Sequence, residues 1–221
     1  RVIQTMIYCS QCGTQNRDGS KFCSNCAARL ALPSGLVCPM CSAANPVETV
    51  FCNNCGARLV PLYSQEEIRR RVADLAAAIR ADVGGDEPVL VGILKGAFVF
   101  LADLVRALDV PLRVDFVRVA SYGERAESAG RVAITKDVEL DLAGRDVVVV
   151  EDILDSGLSA RIVLDHLSHR RPRSLRLCAL VDKRERRRVD VEADCVGLVL
   201  DRGFIVGYGI DYAERYRHLP A

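Results

Sequence analysis

Eight of the ten cysteines in this 221-residue chain fall within residues 9–55, and they fall in pairs. Cys9/Cys12, Cys23/Cys26, Cys38/Cys41 and Cys52/Cys55 are four Cys-x-x-Cys steps. Moving the first two pairs along by 29 places lays their cysteines on the last two. The same shift lays Asn16 on Asn45, Phe22 on Phe51 and Ala28-Arg29-Leu30 on Ala57-Arg58-Leu59. The segment is a tandem repeat, 9–30 and 38–59, each unit reading Cys-x2-Cys-x10-Cys-x2-Cys. Two cysteines three apart turn a knuckle that aims both thiolates at one point, and two knuckles supply the four sulfurs of a tetrahedral zinc site. A unit this short cannot hold itself together by apolar burial. Structural zinc contributes roughly 10–16 kcal/mol in comparable modules, enough to fold one. A disulfide framework and an iron–sulfur or redox centre are the competing readings; a reducing compartment disfavours the first. The duplicated spacing favours zinc, at two structural sites. Cys178 and Cys195 stand alone in apolar stretches and read as buried core thiols.

Residues 8–60 resemble the double zinc-ribbon family. That resemblance implies a metal and a shape, and leaves the purpose open among nucleic-acid binding, protein docking and structural packing. Thirty Lys+Arg against 29 Asp+Glu leave a net charge of +1, so no bulk charge draws the chain to nucleic acid or a membrane. Each unit has few basic residues and one aromatic, Phe22 or Phe51, where a single-strand platform wants a positive groove with several stacking faces. A docking or structural role is preferred, with protein contacts or self-association as the hypothesis to test, and nucleic acid is not favoured. No apolar run approaches the ~20 residues of a membrane span, and no signal peptide of the usual pattern is present, so a cytoplasmic location is expected. The chain opens on Arg1 with Met6 shortly before the first cysteine pair, and residues 1–5 read as either a start-site artefact or a non-AUG start translated literally.

After a linker, Leu59–Tyr63, the chemistry changes. Ser64 with Glu67 is a capping-box signature, and Ile68, Val72, Leu75 and Ile79 recur at helical spacing until Gly84-Gly85. Val89–Ile93, Leu112–Ala120, Val147–Val150, Leu175–Val181 and Val196–Leu200 read as strands. Ala97–Leu108 and Leu158–Leu167 read as helices. Near-continuous apolar strands alternating with helices predict an α/β domain over 64–221, its parallel sheet covered on both faces. Ligands of such sheets lie beyond the carboxyl ends of the strands.

After Val147–Val150 the sequence runs Glu151-Asp152-Ile153-Leu154-Asp155-Ser156-Gly157-Leu158-Ser159 into a helix. Backbone N–H groups at that helix start, with the Ser156 and Ser159 hydroxyls, form a phosphate cradle. The paired carboxylates suit a sugar diol with Mg²⁺ nearby. This string is similar to the phosphoribosyl-diphosphate (PRPP) binding motif of type I phosphoribosyltransferases. Over residues 64–220 the chain resembles the hypoxanthine-guanine phosphoribosyltransferases. Leu94-Lys95-Gly96 resembles their diphosphate loop, in which a cis peptide is usual, and Ser121-Tyr122-Gly123 the start of their mobile loop. Lys183 matches the lysine that reads the purine 6-oxo group. Phe204 to Tyr212 matches the purine-stacking and metal segment, and Arg217 the arginine that follows.

The resemblance implies the type I fold, a parallel sheet flanked by helices with a small hood, and purine salvage. The reaction is Mg²⁺-dependent transfer of 5-phosphoribosyl from PRPP to hypoxanthine or guanine, giving IMP or GMP and diphosphate. It implies PRPP binding by Glu151, Asp152, Asp155, Ser156, Gly157, Leu158 and Ser159, and diphosphate binding by Lys95, Gly96 and Arg217. Asp155 is implied as general base, Lys183, Phe204, Ile205 and Asp211 as purine-site residues, and Glu151, Asp152 and Asp211 as Mg²⁺ ligands. Closure of the 121–131 loop, opened by Ser121 and Tyr122, excludes water in that scheme. Only four lysines stand against 26 arginines, so a lysine at 183 is a specific choice. Its donor favours oxopurines over adenine. Arg202-Gly203 replaces the frequent Asp-Lys, which leaves the 2-position preference open. His166, His169 and His218 match no site position, and His166 and His169 read as surface residues. The basic runs His169–Arg173 and Arg184–Arg188 read as solvated loops or an oligomer contact. A dimer or tetramer is expected from the family. The rival reading is a regulatory or nucleic-acid-handling protein on the same fold, as in ComF-like proteins that also join a zinc ribbon to it. The joint presence of the loops with Asp155, Lys183 and Asp211 favours the enzyme.

Overall fold

A computed structural model of the chain describes residues 7–8, 11–16, 22–28, 30, 36–38, 41–45, 51–56, 62–83, 87–122, 131–201 and 203–221. It divides into two compact units between Leu62 and Tyr63. In the first, β1 (Ile7–Tyr8) pairs antiparallel with β2 (Gln15–Asn16), and β3 (Leu36–Val37) pairs likewise with β4 (Ala44–Asn45). These two short hairpins carry the repeat.

The second unit opens with α1 (Gln65–Asp82), where both arms of the Ser64/Glu67 capping box are formed. Its buried stripe is Ile68, Val72, Leu75, Ala76 and Ile79, the spacing read from the sequence. The sheet contains β5 (Val89–Leu94), β6 (Arg113–Tyr122), β7 (Arg131–Lys136), β8 (Asp146–Leu154), β9 (Ser174–Lys183) and β10 (Cys195–Leu200). Their spatial order is β10-β9-β8-β5-β6-β7, every pair parallel except the antiparallel β6–β7. Helices α2 (Phe98–Leu108) and α3 (Leu158–Ser168) make the crossovers.

Alternate strand residues feed opposite layers. Leu90, Val148, Val150 and Cys178 pack with α1 and α2, whereas Val89, Val91, Val147 and Val149 pack with α3. Helix α2 alone buries Phe100, Leu101, Leu104 and Leu108, each worth roughly 1.5–3 kcal/mol of apolar transfer. The sequence reading passed over β7, an edge strand defined by its partner. It also stopped β8 too early: the strand runs through Glu151 and Asp152 to Leu154. Cys178 is fully buried as expected; Cys195, its partner in register on β10, is only half-buried. No helix among the described residues is long and apolar enough to cross a membrane.

The end of β7 is fixed to the sheet by a buried carboxylate. Asp115 accepts the backbone N–H groups of Phe116 (2.7 Å), Glu139 (2.7 Å) and Leu140 (2.9 Å), with Lys136 Nζ at 3.5 Å. Burial pushes its carboxyl up, but these N–H groups and Lys136 outweigh burial and hold it below the usual range. Asp115→Ala is expected to lower the unfolding free energy by about 2–3 kcal/mol near neutral pH, read by urea titration. The native carboxylate has the depressed pKa, so the difference holds above about pH 4 and fades as pH falls through the folded value.

Candidate active site

The strand order reverses between β5 and β8: β5 leads through α2 to β6 on one side, and β8 leads through α3 to β9 on the other. A crevice opens at such a switch point, beyond the strand ends. The residues singled out from the sequence converge there. β5 ends at Leu94, and the Leu94–Lys95 peptide is cis. A Cβ on Gly96 would lie 2.0 Å from Asp152 Oδ2, and one on Gly209 would lie 2.3 Å from the Gly96 carbonyl oxygen. Gly209 also has φ +98°, a conformation that side chains resist. Three backbone segments therefore meet at a separation only glycine permits.

Glu151 and Asp152 are both buried, and Glu151 Oε2 has no hydrogen-bond partner. Burial, reinforced by Asp152, raises the Glu151 carboxyl well above its usual range. Burial likewise pushes Asp152 up to about 6, against the pull of backbone N–H groups and Arg217. Two buried carboxylates with so few donors form a site made for a cation. Nearby, Arg217 bonds Asp211 Oδ1 at 2.7 Å and the Gly209 carbonyl at 2.7 Å, while Lys95 Nζ lies 2.9 Å from Glu214 Oε2. That contact, first among several, holds the Glu214 carboxyl below its usual range.

Asp155 follows β8, and Lys183 is the last residue of β9, not the residue after it. Lys183 is 5% exposed, with Nζ 3.6 Å from Asp155 Oδ1 and 3.7 Å from Glu185 Oε2. Glu185 in turn accepts the Gly203 N–H at 3.2 Å, tying the segment that carries Phe204 to this lysine. Phe204 is 62% exposed and meets Tyr212 edge to face at 5.3 Å; Ile205 is half-buried behind it. Gly157 caps α3 with φ +80° and no side-chain cap bond, leaving Leu158 N 3.4 Å from Ser156 Oγ. Ser159 lies half-buried in the first turn. Ser121 and Tyr122 end β6, and residues 123–130 of the loop between β6 and β7 lie outside the described residues, as does Arg202.

The run Arg184–Arg188 is not simply solvated. Arg184, Arg186 and Arg188 are exposed, but Arg187 turns inward. Its guanidinium donates to the carbonyls of Leu154 (2.9 Å), Asp155 (3.1 Å) and Val191, and pairs with Asp182. Arg188 N adds a bond to the Ser156 carbonyl at 2.9 Å. Arg187 thus clamps the loop carrying Asp155, Ser156 and Gly157. Composition could not separate it from its neighbours, because what distinguishes it is a set of carbonyls more than 30 positions away. His166 is also more than a surface residue: half-buried on α3, its Nε2 lies 2.9 Å from Asp137 Oδ1 just beyond β7. His169 is exposed, as read.

In the first unit, Cys38, Cys41, Cys52 and Cys55 bring their sulfurs within 4.8 Å of one another, and so do Cys12, Cys23 and Cys26; Cys9 lies outside the described residues. Sulfur donors gathered at this separation fit tetrahedral zinc. Thiolate character is already favoured. The Thr14 hydroxyl lowers Cys12 to about 6. Cys52 also reaches about 6, where burial is outweighed by the Cys55 and Asn54 N–H groups and the Asn45 side chain. The repeated asparagine is a buried brace. Asn45 Oδ1 accepts Asn53 N–H at 2.8 Å and its Nδ2 lies 3.5 Å from Cys52 Sγ; Asn16 does the same for Ser24 (2.8 Å) and Cys23 (3.7 Å).

Two outcomes are expected. Asn45→Ala should weaken zinc binding by the second unit of the repeat roughly 10–100-fold, read by competition with a chromophoric chelator. Glu151→Gln should raise the melting temperature of metal-free protein at pH 8 and leave it unchanged near pH 4. The native carboxyl has the raised pKa, so its stabilising proton is fully held below the unfolded value, and stability is lost as pH rises from the unfolded value to the folded one.

The phosphoribosyl transferase domain family matches residues 61–213, and the double zinc ribbon family matches residues 9–56. A hypoxanthine-guanine phosphoribosyltransferase of Aquifex aeolicus is 47% identical over 160 residues, 72% of this chain and 90% of that protein. A hypoxanthine phosphoribosyltransferase of Salmonella typhimurium is 48% identical over 158 residues, 71% of this chain and 89% of that one. A crystal structure of a hypoxanthine-guanine phosphoribosyltransferase from Bacillus anthracis superposes with a TM-score of 0.68 at 45% identity, covering 73% of this chain and 95% of the other. At this identity, and with nine-tenths of the relatives' length covered, the chain belongs to the hypoxanthine-guanine group of the phosphoribosyltransferase family, with a double zinc ribbon ahead of that domain in sequence.

Proposed function

We propose that the second unit transfers the 5-phosphoribosyl group of PRPP to hypoxanthine or guanine, giving the purine nucleoside monophosphate and diphosphate. The observation that carries this reading is Lys183, a buried ammonium 3.6 Å from Asp155 at the mouth of the crevice. A donor at that position pairs with a 6-oxo group and faces adenine's amino group with another donor, so the pocket selects oxopurines. Phe204, exposed and braced by Tyr212, supplies a stacking face. The Ile205 backbone reads the edge of the base.

In the reaction the bond from the ribose anomeric carbon to diphosphate breaks, and a bond from that carbon to a purine ring nitrogen forms. The proton of that nitrogen goes to Asp155, a carboxylate with a buried oxygen and no hydrogen-bond partner for it. Glu151 and Asp152 hold the ribose hydroxyls. The open N–H groups of α3, with Ser156, Gly157, Leu158 and Ser159, take the 5-phosphate. Lys95, the Gly96 backbone and Arg217 take the diphosphate, offsetting the charge it gains as it leaves. The orphaned Glu151 oxygen, Asp152 and Asp211 are hard oxygen donors suited to Mg²⁺, which when bound supplies further positive charge at the leaving group. We assign residues 64–221 to this activity. The ribbons read as zinc-held docking modules, because the equivalent Phe22 and Phe51 are 61% and 56% exposed.

Purified protein given PRPP and Mg²⁺ should form nucleotide from hypoxanthine or guanine and none from adenine. Asp155→Asn should lower the rate by about 10²–10⁴-fold. Bound PRPP with no product from any base would instead point to a regulatory protein on this fold.

A further inference from the structure

The two cations assigned to diphosphate are bridged by one carboxylate oxygen. Glu214 Oε2 lies 2.9 Å from Lys95 Nζ and 3.4 Å from an Arg217 guanidinium nitrogen. Arg217 is otherwise engaged by Asp211 and the Gly209 carbonyl, so Glu214 completes its neutralisation. The turn that presents Glu214 is held in an unusual shape. Ala213 and Glu214 have φ of +50° and +62°, Tyr212 and Arg215 exchange backbone bonds, and Glu214 N–H is held by Asp211 Oδ2 at 2.8 Å. Non-glycine residues adopt such φ values only where their surroundings enforce them. The Glu214 side chain is still 65% exposed, so it can swing into water without unpacking anything.

We propose that Glu214 is an internal anion that takes the place of a diphosphate oxygen, keeps Lys95 and Arg217 aimed at one point, and is displaced when the phosphoribosyl donor binds. The proposal rests on the assignment of Lys95 and Arg217 to diphosphate. One carboxylate carries less charge than a diphosphate and offers fewer oxygens, so the ligand wins the exchange. Every diphosphate must nevertheless compete with Glu214 to enter, and Glu214 reclaims both cations as the diphosphate departs. A tethered competitor of this kind lowers apparent affinity by the fraction of sites it occupies.

The test uses the full-length, zinc-loaded protein, titrated calorimetrically with Mg²⁺-diphosphate and separately with IMP. Because exposed ion pairs are individually weak, the expected change is moderate. Glu214→Gln and Glu214→Ala should each bind diphosphate roughly threefold or more tightly, with slower diphosphate release and unchanged affinity for IMP. Failure of either variant to tighten diphosphate binding overturns the proposal. Failure of the underlying assignment looks different: Lys95→Ala would then bind diphosphate as well as the wild type does.

Discussion

Where strand order reverses between two neighbouring parallel strands, their outgoing connections turn to opposite sides and a crevice opens beyond the strand ends. Here the floor of that crevice is drawn tight by Gly96 and Gly209, where a single methyl would overlap Asp152 or the Gly96 carbonyl. Glu151 and Asp152 are both buried here, and burial is the first cause that raises both carboxyls. Acid chemistry, loop geometry and sheet topology are one constraint seen at three scales. Two acids buried together with few donors are a costly arrangement, and the sheet places them beyond the strand ends, where the proposed cation and sugar diol would offset that cost.

Around that centre the remaining polar groups are distributed by reach. Arg187 fixes the carbonyls of Leu154 and Asp155 in the loop that leads to the start of α3. Glu185 ties the Gly203–Phe204 segment to Lys183. Asp115 and Asp137 anchor the return of the β6–β7 hairpin, one to backbone N–H groups and one to His166 of α3 and Arg170 just beyond it. The zinc ribbons solve a different problem with the same economy. Each places one buried asparagine against a knuckle, so the metal ligands are oriented by the fold as well as by the metal.

Much of this was legible in the residues. The cysteine repeat predicts its sulfur clusters, and the Asn16/Asn45 identity, without a role in the sequence, acquires one as the knuckle brace. Ser64/Glu67 predicts its cap, and the apolar runs predict five of the six strands. What escaped is non-local. β7 exists because β6 is there to pair with it. The boundaries of β8 and β9 extend past the apolar runs because Glu151 and Lys183 are buried in ladder positions, with Asp152 buried within β8, where hydropathy assigns loops. Arg187 and Glu214 look like their charged neighbours until the chain brings distant carbonyls or cations to them. Sequence periodicity reports a residue's neighbours on its own element and is silent about partners on another.

The Arg187 clamp has a consequence for how the site comes into being. Its carbonyl acceptors on Leu154 and Asp155 precede it by 33 and 32 residues, with α3 and β9 between. During synthesis the loop after β8 emerges well before the side chain that braces it. The strands around it can pair as they appear, but the loop reaches its final shape only after β9 has docked and the chain has turned back. The binding crevice is consequently a late product of folding: a chain halted between α3 and Arg187 carries the central strands of the sheet and the acids of the site without the brace that holds them for chemistry.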